Sequence, residues 1–143
     1  VLVGGGPEEP RLRARAGRRV EFAGRVSNDD LVAYYHAADV FCLPSVTIAE
    51  AFGIVLLEAM ACGLPLVTTA LPTGVSAVNR DGVTGLAVPP GDAGALAEAL
   101  RAMLADDVRR KAYGAAARDV LETEYTAALM AARYVRLYRE ALS

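Results

Sequence analysis

The stretch Glu50–Gly63 has the sequence EAFGIVLLEAMACG, an apolar run with one carboxylate before it and a second within it. It predicts a helix over about Phe52–Ala61, because Gly63 occupies the usual position just past a helix end. Burying an unpaired carboxylate is costly or shifts its pKa. Glu50 and Glu58 therefore need an explanation.

Short apolar runs alternate with amphipathic segments on both sides of this helix. Strands are predicted at 1–3, 19–23, 39–43, 64–69 and 85–88. Further helices are predicted at about 29–37, after a cap at Asp92, from Asp106 or Asp107 to about Leu121, and at about 126–142. Ser27 is expected to cap the first of these helices, and Leu96, Leu100, Met103 and Leu104 form a stripe on the second. Strands that are apolar throughout predict a doubly wound, Rossmann-like parallel α/β sheet. We expect one domain over 1–143, with 126–142 as its C-terminal helix.

Composition excludes several classes of protein. The 143 residues are 54% hydrophobic and carry a formal net charge of −2, which indicates a globular chain without a nucleic-acid surface. No run approaches the roughly 20 apolar residues of a membrane span, and the first residues do not resemble a signal peptide. Cys42 and Cys62 lack metal-ligand spacing and are expected to be buried thiols of a cytoplasmic protein. The single histidine, His36, is assigned to a helix surface.

Ligands of doubly wound sheets bind where strands end and helices begin. Three such junctions are informative, at 4–7, 24–27 and 45–53. At the third, the first turn of the predicted helix offers backbone N–H groups without intrahelical partners. Together with the positive end of the helix dipole they form an anion site suited to phosphate. The residues concerned are Phe52, Gly53, Ile54 and Val55.

The two carboxylates flank this anion site. Glu50 precedes it, and Glu58 would lie about 12 Å further along the axis if both were helical. Carboxylates accept hydrogen bonds from hydroxyl groups, so the pair fits a nucleoside diphosphate with an attached sugar. Alternatively, Glu58 is a solvated residue or pairs with an arginine, and Glu50 complements the helix dipole. From the residues alone we infer a domain that binds a nucleotide or another phosphate ligand.

The motifs in order resemble a known family. EAFGIVLLEAMACGLPLVTT resembles the E-x7-E signature of retaining glycosyltransferases of the GT-B fold, in particular glycosyltransferase family 4, the glycosyl transferases group 1. VLVGGGPEEPRLRARA is similar to the family's VGxGP segment. VEFAGRVSNDDLVAYYHAADVFCLPS and DGVTGLAVPPGDAGALAEAL are similar to the stretches before and after the signature. The resemblance implies a retaining hexosyltransferase of polysaccharide or glycolipid biosynthesis.

The resemblance also implies roles for individual residues. Glu50 would contact the hydroxyls of the donor sugar beside the reacting anomeric carbon, and Glu58 would hold the ribose. The backbone N–H groups of 52–55 would bind the diphosphate or the sugar. The other implied contacts come from Arg25, Val26 and Ser27 beside the base, and from Gly4 and Gly6 in an open first loop.

The resemblance further implies what accompanies the chain. The expected substrate is a nucleotide-diphosphate sugar, with no metal, other cofactor or nucleic acid. The family's first strand and helix, its Arg and Lys clamp and its N-terminal acceptor domain would be missing, so the fragment alone is expected to be inactive. Any peripheral association with the inner face of the membrane would run through the absent domain.

One segment departs from the family pattern, because Ser76 and Ala77 stand where Pro-Glu is common. Two other functions fit the resemblance. One is a non-catalytic or regulatory domain that binds nucleotide sugars, and the other is a GT-B relative such as an epimerase or phosphorylase.

Overall fold

Two parallel sheets, each with its own helices, are present in the computed structural model, which describes residues 1–142. They belong to two units, one formed by Val1–Ala37 and the other beginning at Ala38. The parallel pairing confirms the predicted α/β class. Where we expected one continuous sheet, the strand ladders form a two-stranded and a three-stranded sheet.

The first unit contains β1 (Leu2–Val3), α1 (Glu9–Arg15), β2 (Phe22–Gly24) and α2 (Asn28–Ala37). Strands β1 and β2 pair in parallel, and the Gly4 N–H continues the ladder to the Gly24 carbonyl at 2.7 Å. Ser27 caps α2 as predicted, since its hydroxyl accepts from the Asp30 N–H at 3.1 Å.

Helix α1 was not predicted, because its segment lacks an apolar stripe and buries no residue. In place of buried contacts, α1 has ion pairs on its exposed surface. The Arg11 guanidinium lies 2.6 Å from the Glu8 carboxylate, and Arg13 lies 2.8 Å from Glu9. Exposed pairs at these helical spacings contribute only tenths of a kcal/mol each.

The second unit alternates strands and helices before three consecutive helices. Its elements are β3 (Phe41–Leu43), α3 (Ile54–Ala61), β4 (Leu66–Thr69), α4 (Gly74–Val78), β5 (Gly85–Val88), α5 (Ala93–Ala105), α6 (Asp107–Glu124) and α7 (Ala127–Ala141). The strand order is β3-β4-β5, all parallel, with Phe41 opposite Leu66 and Leu66 opposite Gly85. Such a sheet aligns the carboxyl ends of its strands along one edge, and the junction predicted at 45–53 follows β3 at that edge.

One part of the core lies between this sheet and α5. Strand β4 is fully buried, and Val67 packs in one cluster with Val88 of β5 and Met103 of α5. The stripe predicted on α5 is confirmed for Leu96 and Leu100, which pack against the cluster. Leu104 is 56% exposed and lies off the stripe. The apolar pattern of the sequence alone did not show that Leu104 lies outside the buried stripe.

Close backbone approach joins α6 to the end of α3. A Cβ at Gly114 would lie 2.1 Å from the Gly63 carbonyl oxygen, so only glycine fits there. Helix α6 extends three residues beyond the predicted end at Leu121. Helix α4 was not predicted, because its segment contains a glycine and a serine and is only five residues long. Helix α7 agrees with the predicted C-terminal helix and begins at a Thr126 cap.

Candidate functional site

The start of α3 differs from the prediction by two residues. Gly53 is the N-cap, with φ 76° and ψ 58° in the left-handed region, and Ile54 is the first helical residue. A Cβ at Gly53 would also lie 2.9 Å from Cδ1 of Leu56. Phe52 and Gly53 therefore belong to the loop and not to the first turn. The apolar run continues through the boundary, so hydrophobicity alone did not reveal the turn that only glycine accommodates.

The N-terminus of α3 has open hydrogen-bond donors. The Leu56 N–H turns back to the Gly53 carbonyl at 2.8 Å, whereas the N–H groups of Ile54 and Val55 reach no backbone acceptor within residues 1–142. No side chain caps this helix, and its first turn carries no acidic residue. The later helices α5, α6 and α7 are capped by side chains. The start of α3 can therefore receive an external anion.

The two carboxylates lie on either side of this helix start, and neither is buried in the core. Glu50 is half-buried in the β3–α3 loop (44–53), and Glu58 is exposed on the second turn of α3. The apolar run instead buries Leu56 and Met60. Between Glu50 and Glu58, only the part from Ile54 to Glu58 is helical, which corresponds to a rise of about 6 Å along the helix axis. The roughly 12 Å expected if the whole segment were helical therefore does not apply.

The last residue of β4 and the first residue of α4 hold the β3–α3 loop in place. The Thr69 hydroxyl donates to the Ser45 carbonyl near the start of the loop. The Gly74 N–H donates to the Ala51 carbonyl near its end, at 2.8 Å. Sequence reasoning missed both contacts, because they join positions more than twenty residues apart. The available signal was the glycine inside a segment that departs from the family pattern.

The Phe52 ring faces an apolar groove. It packs edge-to-face on Tyr125, with ring centroids 6.0 Å apart and planes at 64°. The groove encloses about 500 Å³ and is lined by Phe52, Leu57, Glu124, Tyr125, Met130, Arg133, Tyr134 and Leu137. The side chain of Phe52 therefore forms part of the wall of the groove, whereas its backbone is part of the loop before α3.

The remaining predicted site residues lie in the first unit. Gly4 and Gly6 help to line a pocket of about 240 Å³ after β1. Arg25, Val26 and Ser27 follow the adjacent strand β2, with Val26 half-buried and the other two exposed. The Ser27 hydroxyl is occupied, since it donates to the Asp30 carboxylate at 2.7 Å and caps α2. The predicted residues thus form one group in each unit.

Residues 1–142 contain neither a cluster of metal ligands nor a membrane-spanning helix. No three His, Cys, Asp or Glu side chains are grouped there as metal ligands would be. None of the helices in that range combines the length and apolarity that crossing a membrane requires.

Comparison with known proteins identifies the family. The family model for glycosyl transferases group 1 matches residues 1–120. A phosphatidyl-myo-inositol mannosyltransferase from Mycobacterium leprae is 43% identical over 141 residues, covering 96% of this chain and 37% of the relative. A GDP-mannose-dependent monoacylated alpha-(1-6)-phosphatidylinositol monomannoside mannosyltransferase from Corynebacterium glutamicum is 36% identical over 145 residues, covering 96% of this chain and 38% of the relative.

One solved structure is similar to this chain in both sequence and fold. Sucrose-phosphate synthase from Thermosynechococcus elongatus matches with a TM-score of 0.84 and 34% identity, covering 99% of this chain and 38% of that protein. The chain thus spans less than two fifths of the length of the relatives described here. The matched family model, the mannosyltransferase relatives and this structure agree. The chain belongs to the glycosyl transferases group 1 family.

Proposed function

We propose that this chain is the donor-binding part of a glycosyltransferase that takes a hexose from a nucleotide diphosphate with retention of anomeric configuration. The observation that carries the proposal is the uncapped start of α3, with Glu50 in the loop before it and Glu58 on its second turn. Family membership and the mannosyltransferase relatives support it.

The helix start fits the leaving group. Glycosyl transfer breaks the bond between the anomeric carbon and the diphosphate, and negative charge grows on the phosphate oxygens as it breaks. The N–H groups of Ile54 and Val55 and the helix dipole favour that charge. They are fixed by the fold before the donor arrives, so they need no reorganisation during the reaction. This charge stabilisation leads us to propose that donor binding requires no metal.

The carboxylates fit the two hydroxylated ends of the donor. Glu50 precedes the anion site and would accept hydrogen bonds from the sugar, where its negative charge also favours an oxocarbenium-like transition state. Glu58, one turn into α3, would accept from the ribose hydroxyls. Arg25, Val26 and Ser27 are proposed to contact the base, and Gly4 and Gly6 to leave space beside the donor.

We propose GDP-mannose as the first donor to test, because the name of the Corynebacterium relative specifies it. We further propose that an acceptor-binding domain outside these 143 residues completes the active site, that the protein acts in the cytoplasm, and that the chain alone does not transfer sugar. The relatives' greater length supports the proposal of a further domain.

Calorimetry and ligand-observed NMR with GDP, UDP and ADP test donor binding. We expect Glu58→Ala to weaken the preferred nucleotide about tenfold, the loss of one or two hydrogen bonds to a charged acceptor. Glu98→Ala, which removes an exposed carboxylate from α5, is the matched control and should bind like the parent. Absence of binding at millimolar concentration, both by this chain and by a longer form carrying the Arg and Lys clamp, would reject the nucleotide site.

Turnover tests the role of Glu50 in a form that includes the acceptor domain. Glu50→Gln should lower kcat far more than it weakens donor binding, because the carboxylate's charge matters most in the transition state. Equal losses in kcat and affinity would assign it to binding alone. NMR of the glycoside formed reports the anomeric configuration, and an inverted product would reject retention.

A further inference from the structure

The backbone conformation at Gly74 does not require a glycine. Gly74 begins α4, and its φ lies outside the left-handed region. Glycine weakens a helix relative to alanine, so another cause is required. The cause is space: a Cβ at Gly74 would lie 2.6 Å from Cδ2 of Phe52, 2.9 Å from the Ala51 oxygen and 3.0 Å from the Phe52 Cα. The backbone of the β3–α3 loop lies directly against this residue.

The contact is also a hydrogen bond to the residue next to Glu50. The Gly74 N–H donates to the Ala51 carbonyl at 2.8 Å. At the other end of the loop, the Thr69 hydroxyl donates to the Ser45 carbonyl. Thr69 is only 2% exposed and ends the central strand β4. The loop that carries Glu50 is therefore attached near one end to the last residue of the central strand and near the other end to the first residue of α4.

The segment that provides these attachments is itself anchored in the core. Asn79, at the end of α4, donates to the Thr68 hydroxyl at 2.8 Å and to the Leu86 carbonyl at 3.0 Å. These bonds tie α4 to strands β4 and β5. A displacement at Gly74 is therefore expected to move the loop, which lies in part on the surface, rather than α4.

We propose that Gly74 is a positioning residue for the donor sugar: it holds the Ala51–Phe52 backbone so that the Glu50 carboxylate stays directed at the sugar beside the anion site. This inference rests on the proposed function. It adds that the sugar contact depends on the β4–α4 segment, whereas the ribose contact depends on α3 itself, which Leu56 and Met60 anchor in the core.

The test compares the affinities of the 143-residue chain for GDP and for GDP-mannose by ligand-observed NMR. The ratio of the two affinities reports the sugar contact alone, because a loss of folded protein weakens both ligands equally. In Gly74→Ala we expect the preference for GDP-mannose over GDP to fall at least fivefold, with GDP affinity within threefold of the parent. Gly94→Ala is the matched control in the first turn of α5. There the added Cβ would meet only the Asp92 Oδ1, at 3.3 Å, and the ratio should stay unchanged.

A second pair of variants decides the matter if Gly74→Ala does not fold. Thr69→Val removes the hydroxyl bond to Ser45 with little change in volume, and the preference for the sugar nucleotide should fall at least twofold. Thr69→Ser keeps a hydroxyl group that can donate to the Ser45 carbonyl, so its preference for GDP-mannose over GDP should stay close to that of the parent.

Each result separates the two proposals. Parent-like ratios in the folded variants, or equal affinity of the parent for both ligands, would overturn the positioning role while leaving nucleotide binding intact. Failure of the parent to bind either ligand, together with failure to bind UDP and ADP, here and in the clamp-bearing longer form, would overturn the proposed function and the positioning role with it.

Discussion

Replacing Asn79 with alanine should destabilise the second unit strongly. Asn79 is 2% exposed, and its side chain makes three hydrogen bonds. The amide nitrogen donates to the Thr68 hydroxyl at 2.8 Å and to the Leu86 carbonyl at 3.0 Å. The amide oxygen accepts from the Thr84 hydroxyl at 2.9 Å. In Asn79→Ala all three partners lose this bond at positions that water reaches poorly.

The loss can be estimated from these contacts. Three hydrogen bonds at about 1 kcal/mol each give about 3 kcal/mol. The small cavity left by the side chain adds up to about 1 kcal/mol. A loss of about 3–4 kcal/mol is a large part of the roughly 5–15 kcal/mol by which a domain is stable. For a chain of 143 residues the melting temperature should fall by roughly 10 °C.

Urea unfolding followed by circular dichroism measures the change. With a slope of about 2 kcal/mol per molar urea, the midpoint should fall by roughly 1.5–2 M. The control is Asn28→Ala, at the exposed start of α2, which should stay within about 0.5 kcal/mol of the parent. A loss below about 1 kcal/mol for Asn79→Ala would show that the buried bonds are replaced without cost, and would refute the reasoning.

Three further changes test other parts of the molecule. Gly114→Ala places a Cβ 2.1 Å from the Gly63 oxygen and should cost about 3 kcal/mol in urea unfolding, whereas Gly17→Ala meets nothing within 4 Å and should be neutral; similar effects of the two would contradict the close helix contact. Burial raises the pKa of the Cys42 thiol, so the fold favours its neutral form and loses that contribution as the pH rises through the raised value. Iodoacetamide at pH 8 should therefore modify Cys42 more slowly in the folded than in the unfolded chain, as measured by mass spectrometry, and equal rates would contradict it. Thr126→Ala removes the cap whose hydroxyl accepts from the first turn of α7 and should cost about 1 kcal/mol there; unchanged amide hydrogen exchange in α7 would show that the cap contributes nothing.

The strands could be predicted because most are short apolar runs, and a glycine or proline directly follows β1, β3 and β5. Gly85–Val88 agrees at both ends, and 64–69 begins only two residues early. Ser27, predicted as the cap of α2, illustrates that a side-chain cap can mark the start of a helix. Helix α1 has no apolar stripe, and α4 is too short for a period to be visible, so the local pattern contained no signal for either.

The candidate site was predictable as far as it is local in sequence. Glu50, Glu58 and the helix start between them lie within nine residues and share one motif. The beginning of α3 was misplaced because a left-handed glycine inside an apolar run changes the backbone path without changing the hydrophobic pattern. The attachment of the loop by Thr69 and Gly74 depends on tertiary contacts, which no local pattern contains.

The missing cap on α3 places stability and activity in competition. A serine or aspartate cap typically stabilises a helix by about 1 kcal/mol, but the left-handed backbone of Gly53 and the close approach of Leu56 oppose any side chain at that position. At Gly53 a capping side chain would occupy the amides that the donor's phosphates are proposed to use. The ligand itself would then act as the cap. Saturating donor should therefore raise the melting temperature of the second unit.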